Sequence, residues 1–102
     1  MLQVAERLIP AYTRELQAAV AQAVATLPQG PERAALLRLR RRIGSWRHAE
    51  RFETLRRLAL LGEVEGWLPP EQGMVIRRLA HRVAFCFRRK EEQSNGIRRP
   101  EG

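Results

Sequence analysis

The chain of 102 residues contains no aspartate, one cysteine, one lysine and two histidines. A single cysteine, Cys86, excludes a disulfide bond within the chain. Because metal sites use several histidine, cysteine or carboxylate ligands, the two histidines and the single thiol cannot supply a metal cluster at a plausible spacing. We therefore predict that the protein binds no metal and no cofactor.

Motifs for catalysis are also lacking. The sequence has no serine–histidine–acid set and no glycine-rich phosphate loop. Cys86 falls on an apolar stripe, where a cysteine is usually a buried core residue. His48, near the start of a predicted helix, and His81, among arginines, are interpreted as surface or phosphate-contacting residues. We therefore predict that the protein is not an enzyme and has no catalytic residues.

Long hydrophobic runs are absent as well. The uninterrupted apolar runs are only a few residues long, whereas a membrane-spanning helix needs about 20 apolar residues. The first residues include Glu6 and Arg7 and lack the apolar core of a signal peptide. We therefore expect a cytoplasmic protein that has no membrane partner.

Positive charge is what the chain has in excess. Nineteen basic residues stand against 11 acidic ones, which gives a net charge of +8, and all the basic residues except Lys90 are Arg. Such an imbalance on a small chain indicates a polyanionic partner. The planar guanidinium group of Arg can pair with a phosphate through two hydrogen bonds. A GC-rich genome would explain the preference for Arg over Lys, but it would not explain the net charge.

A first helix is predicted over residues 2–27. Apolar side chains recur there every four residues, at Leu8, Tyr12, Leu16, Val20 and Val24. Pro10, by its position, either kinks this helix or begins it. The segment has no net charge and its end is apolar on nearly every side, so we expect it to contact other protein subunits.

Further helices are predicted after the break at 28–31. Two are assigned to 31–43 and 46–61, with Ser45 as the N-cap of the second, although one long helix is the alternative. Gly62 is assigned as the glycine that ends this helix, and the following loop is expected to place Trp67 and Leu68 on the core. The last helix begins at Pro70 and runs to about residue 92.

These segments predict an all-α fold. It is a small bundle of four to five helices that forms a single domain over residues 1–93. A short, flexible and basic C-terminal tail is expected over 94–102.

The positive charge is concentrated in part of the chain. Residues 1–30 have no net charge, whereas 31–61 contain nine Arg and three Glu. Parallel rows of Arg on the middle and last helices are therefore expected to contact an RNA or DNA backbone independently of base sequence. Phe85, which lies off the apolar stripe, is the candidate for an exposed aromatic residue. The predicted contact residues are Arg38, Arg40, Arg41, Arg42, Arg47, Arg51, Arg77, Arg78, Arg82, Arg88 and Arg89.

Three functional interpretations follow. The leading one is a non-catalytic nucleic-acid-binding subunit of a multi-protein or ribonucleoprotein complex. In size, charge and helical content the chain is similar to the small helical subunits of CRISPR effector complexes. The first alternative is a protein-only adaptor of phage or plasmid type that docks on an acidic surface of a larger machine. The second is a homo-oligomeric nucleoid-type protein that associates through a seam formed by Leu36, Leu39, Ile43 and Trp46.

Overall fold

The computed structural model describes the backbone of residues 2–98 and the side chains of residues 7–92. Within that range the fold consists of α1 (Leu2–Thr26), α2 (Pro31–Ile43), α3 (Ala49–Glu65) and α4 (Pro70–Arg98). No strand occurs in the described backbone, and the predicted all-α bundle is confirmed with four helices. None of these helices has an apolar stretch of the length that a bilayer crossing requires.

The two long helices, α1 and α4, form the centre of the bundle. α2 packs on α1, and α3 packs on α4. Cross-helix contacts show that α1 and α4 run antiparallel, because Tyr12 lies against Arg82 whereas Thr26 bonds to Gln72. α2 and α3 do not come into backbone contact with each other in the described structure, and a cleft lies between them.

All four helices contribute to one hydrophobic core. Trp46, in the α2–α3 connection, packs edge-on against Phe52, with 5.2 Å between ring centroids. Phe52 in turn stacks on Phe87 of α4 at 5.6 Å. Fully buried aliphatic side chains complete the core, namely Leu16, Val20, Leu36, Ile43, Leu55, Leu68, Ile76 and Val83.

The first helix continues through Pro10 and begins well before it. Leu16, Val20 and Val24 of its apolar stripe belong to the core, whereas Leu8 is 37% exposed. Short or polar side chains, such as those of Ala18 and Ala25, form the exposed part of its second half. The second half of the stripe is therefore covered by the fold itself, and the contact of this helix with other subunits stays a prediction.

The break between the second and third helices is confirmed, and α2 has the predicted bounds. The prediction that Ser45 caps the third helix is wrong. Its hydroxyl donates to the carbonyl oxygen of Arg42 at 2.8 Å, and α3 begins after His48. Arg40 and Arg47 consequently do not lie on one continuous helix.

The third helix ends at Gly66 and not at Gly62. Gly62 lies inside α3, where a Cβ atom would be 2.9 Å from side-chain atoms of both Trp67 and Leu68. Gly66 has a φ of 90°, and its N–H donates to the Gly62 carbonyl at 2.9 Å. The turn after Gly66 places Leu68 in the core, as predicted, with 1% of its surface exposed.

The last helix is longer than predicted, because α4 continues to Arg98. The backbone of residues 94–98, which was assigned to the flexible tail, is therefore helical. Residues 99–102 of that tail lie outside the described residues. The domain boundary at residue 93 stays a prediction.

Candidate nucleic-acid interface

A cleft of about 520 Å³ opens between α1, the α2–α3 connection and one end of α4. Three cations line it, each from a different element: Arg14 from α1, Arg47 from the connection and Lys90 from α4. No carboxylate is among the described lining residues. The other residues that line the cleft are Ile9, Pro10, Thr13, Gln17, Gly44, Trp46 and Phe87.

The α2–α3 connection positions Arg47 at this cleft. Trp46 is turned inward onto Phe52, which fixes the backbone on the N-terminal side of Arg47. Arg47 Nη1 donates to the carbonyl oxygens of Gly44 at 3.0 Å and of Trp46 at 2.9 Å. Both bonds use the same nitrogen, so the N–H groups on Nε and Nη2 are available to an anion.

A second groove continues from the cleft along α1 and α2. Gln17 lines both, and its Nε2 donates to the Arg40 carbonyl oxygen at 3.3 Å. Ala18 and Ala21 form the α1 side of the groove, and Arg40 and Arg41 form the α2 side. The cleft and the groove thus adjoin at Gln17, and we call the two together the cationic belt and define it by Arg14, Arg40, Arg41, Arg47 and Lys90.

The described carboxylates that are nearest in sequence to belt residues do not line the cleft or the groove. Glu91 lies 3.6 Å from His48, and Glu53 is paired with arginines of the α3–α4 interface. Glu15 follows Arg14 in sequence but does not line either depression. Because like charges converge there and no described carboxylate lines either depression, the belt favours an anion.

Two of the predicted contact residues form ion pairs between α3 and α4. Arg77 donates from Nε to Glu63 Oε2 at 2.7 Å and from Nη2 to Oε1 at 3.1 Å. These hydrogen bonds raise the pKa of Arg77 above its ordinary value. Gly73 makes room for this pair, since a Cβ atom at that position would overlap the Glu63 carboxylate. The pair ties α3 to the first turns of α4.

Arg88 is the second predicted contact residue that pairs with a carboxylate of α3. Its Nη2 pairs with Glu53, a carboxylate of which only 9% is exposed, and Arg56 Nη1 approaches the other oxygen at 3.4 Å. Arg56 Nη1 also donates to His81 Nδ1 at 3.0 Å. This network holds the other end of α3 on α4, so we leave Arg77 and Arg88 out of the candidate interface.

The remaining predicted arginines of α4 lie on a different side of the molecule. The guanidinium group of Arg82 lies 5.6 Å from the ring centre of Tyr12. Tyr12 and Arg14 are two residues apart, so they point to opposite sides of α1. Arg78 and Arg89 are exposed on the outer face of α4, where Arg89 lies 5.9 Å from the ring centre of Phe85.

The Arg residues of α2 and those of α4 therefore do not form rows on neighbouring helices, whereas α3 does pack on α4. α2 packs on α1 alone, and α1 separates it from α4. Arg38 and Arg42 are exposed on α2, next to the belt residues in sequence. Arg51 lines the other cleft, between α2 and α3.

Four further residues occupy the places that their sequence context predicted. Phe85 is confirmed as an exposed aromatic residue, with 54% of its surface accessible. Cys86 is buried, and this burial raises the pKa of its thiol. His48 and His81 are on the surface, against Glu91 and Arg56 respectively.

Two residues of the cationic belt were missed by the sequence analysis, namely Arg14 and Lys90. Arg14 belongs to a segment without net charge, which was assigned to protein contact. The available signal was its spacing, because Pro10, Arg14, Gln17 and Ala21 share a side of α1 that is distinct from the apolar stripe. That side becomes part of a basic surface only because α2 and the connection pack beside it.

Comparison with known proteins does not assign this chain to a family. The chain matches no protein family, no curated protein and no solved structure at a significant level. The functional assignment therefore rests on the surfaces described above.

Proposed function

We propose that the protein is a non-catalytic subunit that binds the backbone of RNA or DNA through the cationic belt, within a larger protein or ribonucleoprotein assembly. The observation that carries this proposal is the convergence of five cations on two adjoining depressions without a carboxylate in their lining. These cations come from three helices and one connection, so folding is what brings them together.

Phosphate is the anion that this surface fits best. Four of the five cations are Arg, whose fork of N–H groups matches the oxygens of a phosphate. Arg47 is already held by two carbonyl oxygens, so less side-chain freedom is lost when it binds. A linear polyanion that followed the cleft and the groove would contact the cations in succession.

The lining also supports binding that does not depend on base sequence. Its aromatic residues, Trp46 and Phe87, are only 8% and 4% exposed, so neither ring offers a face on which a base could stack. Thr13 and Gln17 are the polar side chains of the cleft that carry no charge. Contacts made mainly by Arg to phosphate position a nucleic acid without reading its sequence.

Salt dependence is the test of this proposal. A fluorescent oligonucleotide of mixed sequence is titrated with the protein at several salt concentrations, as single-stranded RNA, single-stranded DNA and duplex DNA. Five phosphate contacts predict a slope of log affinity against log salt of about −3.5 for single strands and about −4.5 for a duplex. A flat salt response, or no binding at low salt, would overturn the proposal.

A matched pair of double variants tests the location of the site. Arg14→Gln with Arg47→Gln should reduce the magnitude of the slope by about 1.5 to 2. Arg57→Gln with Arg78→Gln removes the same net charge from exposed positions outside the belt and should leave the slope nearly unchanged. Equal effects of the two double variants would show that net charge and not the belt determines binding.

The protein-only adaptor is the competing function, because an acidic protein surface would also complement the belt. Capture of the complex after nuclease treatment separates the two functions. Loss of the partner with nuclease supports the nucleic-acid proposal. Retention of the partner, together with failure to bind the oligonucleotides, would replace it with the adaptor.

A further inference from the structure

We propose that the outer face of α3 binds a second copy of this chain, helix against antiparallel helix, with Leu58 at the two-fold axis. Five residues form this face, and we call them the α3 seam: Arg51, Thr54, Leu58, Leu61 and Glu65. The inference concerns a different surface from the cationic belt and does not depend on nucleic-acid binding.

The spacing of the α3 seam is that of a helix–helix contact. Its residues are separated alternately by three and four positions, which places all five on one side of the helix. The core of the protein uses another side, which carries Phe52, Leu55 and Ala59. Leu61 is 48% exposed and Leu58 is half-buried, so the seam presents apolar surface that no other part of the described chain covers.

An open edge of the bundle lies beside this face. A cleft of about 530 Å³ separates α3 from α2, with Leu39, Trp46, Leu55 and Leu58 among the residues that line it. The other neighbouring helices of the bundle are in backbone contact, whereas α2 and α3 are not. A helix from outside the chain can therefore pack at this edge without displacing any element.

The charges of the seam point to a second copy of the chain as the occupant. Arg51 precedes Leu58 by seven residues and Glu65 follows it by seven. An antiparallel copy centred on Leu58 sets Arg51 opposite Glu65 of the partner subunit, and symmetry repeats this pair at the other end. The contact is self-complementary, as a two-fold interface requires.

The charge of the whole helix also permits this contact. α3 contains three Arg and four Glu, whereas α2 and α4 each carry an excess of basic residues. Two chains of net charge +8 repel each other, and α3 is a face on which the local charge does not add to that repulsion. Glu65 is held at the end of the helix by a hydrogen bond from Trp67 Nε1 at 3.0 Å.

The alternative seam on α2 is not free for self-association. Leu36 and Ile43 are 1% and 0% exposed, and Trp46 is 8% exposed, because all three pack into the core of their own chain. Only Leu39 of that pattern is half-buried, and it lines the cleft beside the α3 seam.

Sedimentation equilibrium without nucleic acid, in enough salt to screen the net charge, tests the proposal. The wild-type protein should show a concentration-dependent monomer–dimer equilibrium, and Leu61→Glu should be monomeric over the same range. Leu60→Glu is the matched control, because Leu60 is 49% exposed but points away from the α3 seam. A monomeric wild type, or a dimer that Leu61→Glu leaves intact, would overturn the proposal.

A charge exchange tests the antiparallel register. Arg51→Glu and Glu65→Arg should each weaken the dimer roughly tenfold, since each variant sets like charges opposite each other at two places. Mixing the two variants should restore a dimer, because the Glu at position 51 then faces the Arg at position 65 in the other copy. If the mixture dimerises no better than either variant alone, the proposed register is wrong.

Oligonucleotide binding by the same variants keeps this inference separate from the proposed function. Leu60→Glu and Leu61→Glu add the same charge at neighbouring positions, so a comparison of their affinities isolates the effect of dimerisation. A dimer that binds no oligonucleotide would refute the proposed function and leave the α3 seam intact. A monomer that binds oligonucleotide would refute the α3 seam and leave the proposed function intact.

Discussion

The α3–α4 interface and the cationic belt are both rich in Arg, but only the first contains carboxylates placed to receive it. Arg77 and Arg88 meet Glu63 and Glu53, whose side chains are largely buried. In the belt, Arg14 and Arg47 line a cleft to which no described carboxylate contributes. The same residue type therefore stabilises the fold in one region and leaves donors for an external anion in the other.

This contrast explains how so basic a chain can remain compact. Each pair across α3 and α4 replaces repulsion between neighbouring arginines with an attraction in a partly desolvated setting. The belt arginines have no carboxylate beside them in the lining of the cleft or the groove, so they repel one another until an anion binds. Substitutions in the two regions are therefore expected to affect different measurements.

Removal of a carboxylate from the α3–α4 interface should have the largest effect. Glu53→Ala leaves Arg56 and Arg88 without their common partner and is expected to lower the free energy of unfolding by about 2 kcal/mol. The arginines are about half exposed and can regain water, which keeps the loss below that of a fully buried pair. Urea denaturation monitored by circular dichroism measures the change.

Glu15→Ala is the control for this prediction, because Glu15 is exposed on α1. It should change the unfolding free energy by less than about 0.5 kcal/mol. Equal losses in the two variants would mean that Glu53 contributes only charge balance and not a specific pair.

The next largest effect is expected when Arg77 and Arg47 are each replaced by Gln and the stability and oligonucleotide affinity of the two variants are compared. Arg77→Gln is expected to cost about 1.5 kcal/mol of unfolding free energy, because it removes both hydrogen bonds to Glu63. Its oligonucleotide affinity should fall less than about twofold, since salt screens charges beyond roughly 8 Å. Arg47→Gln should show the opposite behaviour at the same salt concentration of about 0.15 M, with affinity reduced roughly fivefold and stability nearly unchanged.

Both variants lose one positive charge, so each is the control for the other. Denaturation and oligonucleotide titration are carried out on each protein. If Arg77→Gln reduces affinity as much as Arg47→Gln does, the distinction between paired and belt arginines is wrong.

A carboxylate introduced into the cationic belt should make its arginines resemble the paired arginines of the α3–α4 interface. Gln17 lines both the cleft and the groove, so Gln17→Glu gives the belt arginines an internal partner. Oligonucleotide affinity is expected to fall roughly tenfold, because the new charge repels phosphate and competes for the guanidinium groups. Gln22→Glu, on an exposed part of α1 outside both depressions, should lower affinity less than about twofold.

The fold was predictable where a local signal ends or begins a helix. Pro31 and the Gly44–Ser45 pair gave the bounds of α2, because each acts on the backbone of its own neighbourhood. The choice between Gly62 and Gly66 could not be made in this way. It depends on the approach of Trp67 and Leu68 to Gly62, which the sequence does not encode at short range.

The sequence predicted that the candidate site is rich in Arg, but it did not predict which basic residues belong to it. The concentration of Arg over residues 31–61 is a property of the sequence, and Arg40, Arg41 and Arg47 were predicted from it. The pairing of Arg77 with Glu63 and of Arg88 with Glu53 depends on how α3 lies along α4. The inclusion of Arg14 depends on the position of α1 between α2 and α4.

The smallest effect is expected on the outer face of α4, where a basic residue and an exposed ring lie together. Arg89 lies against Phe85, and neither residue lines the cleft or the groove of the belt. Phe85→Ala and Arg89→Gln should therefore each change oligonucleotide affinity less than about twofold and leave the salt slope within about one unit of the wild type. A loss of tenfold or more with Phe85→Ala would indicate that a base stacks on this ring. Binding would then involve a second, single-strand surface, and the carboxylate-free belt would not account for the whole interface.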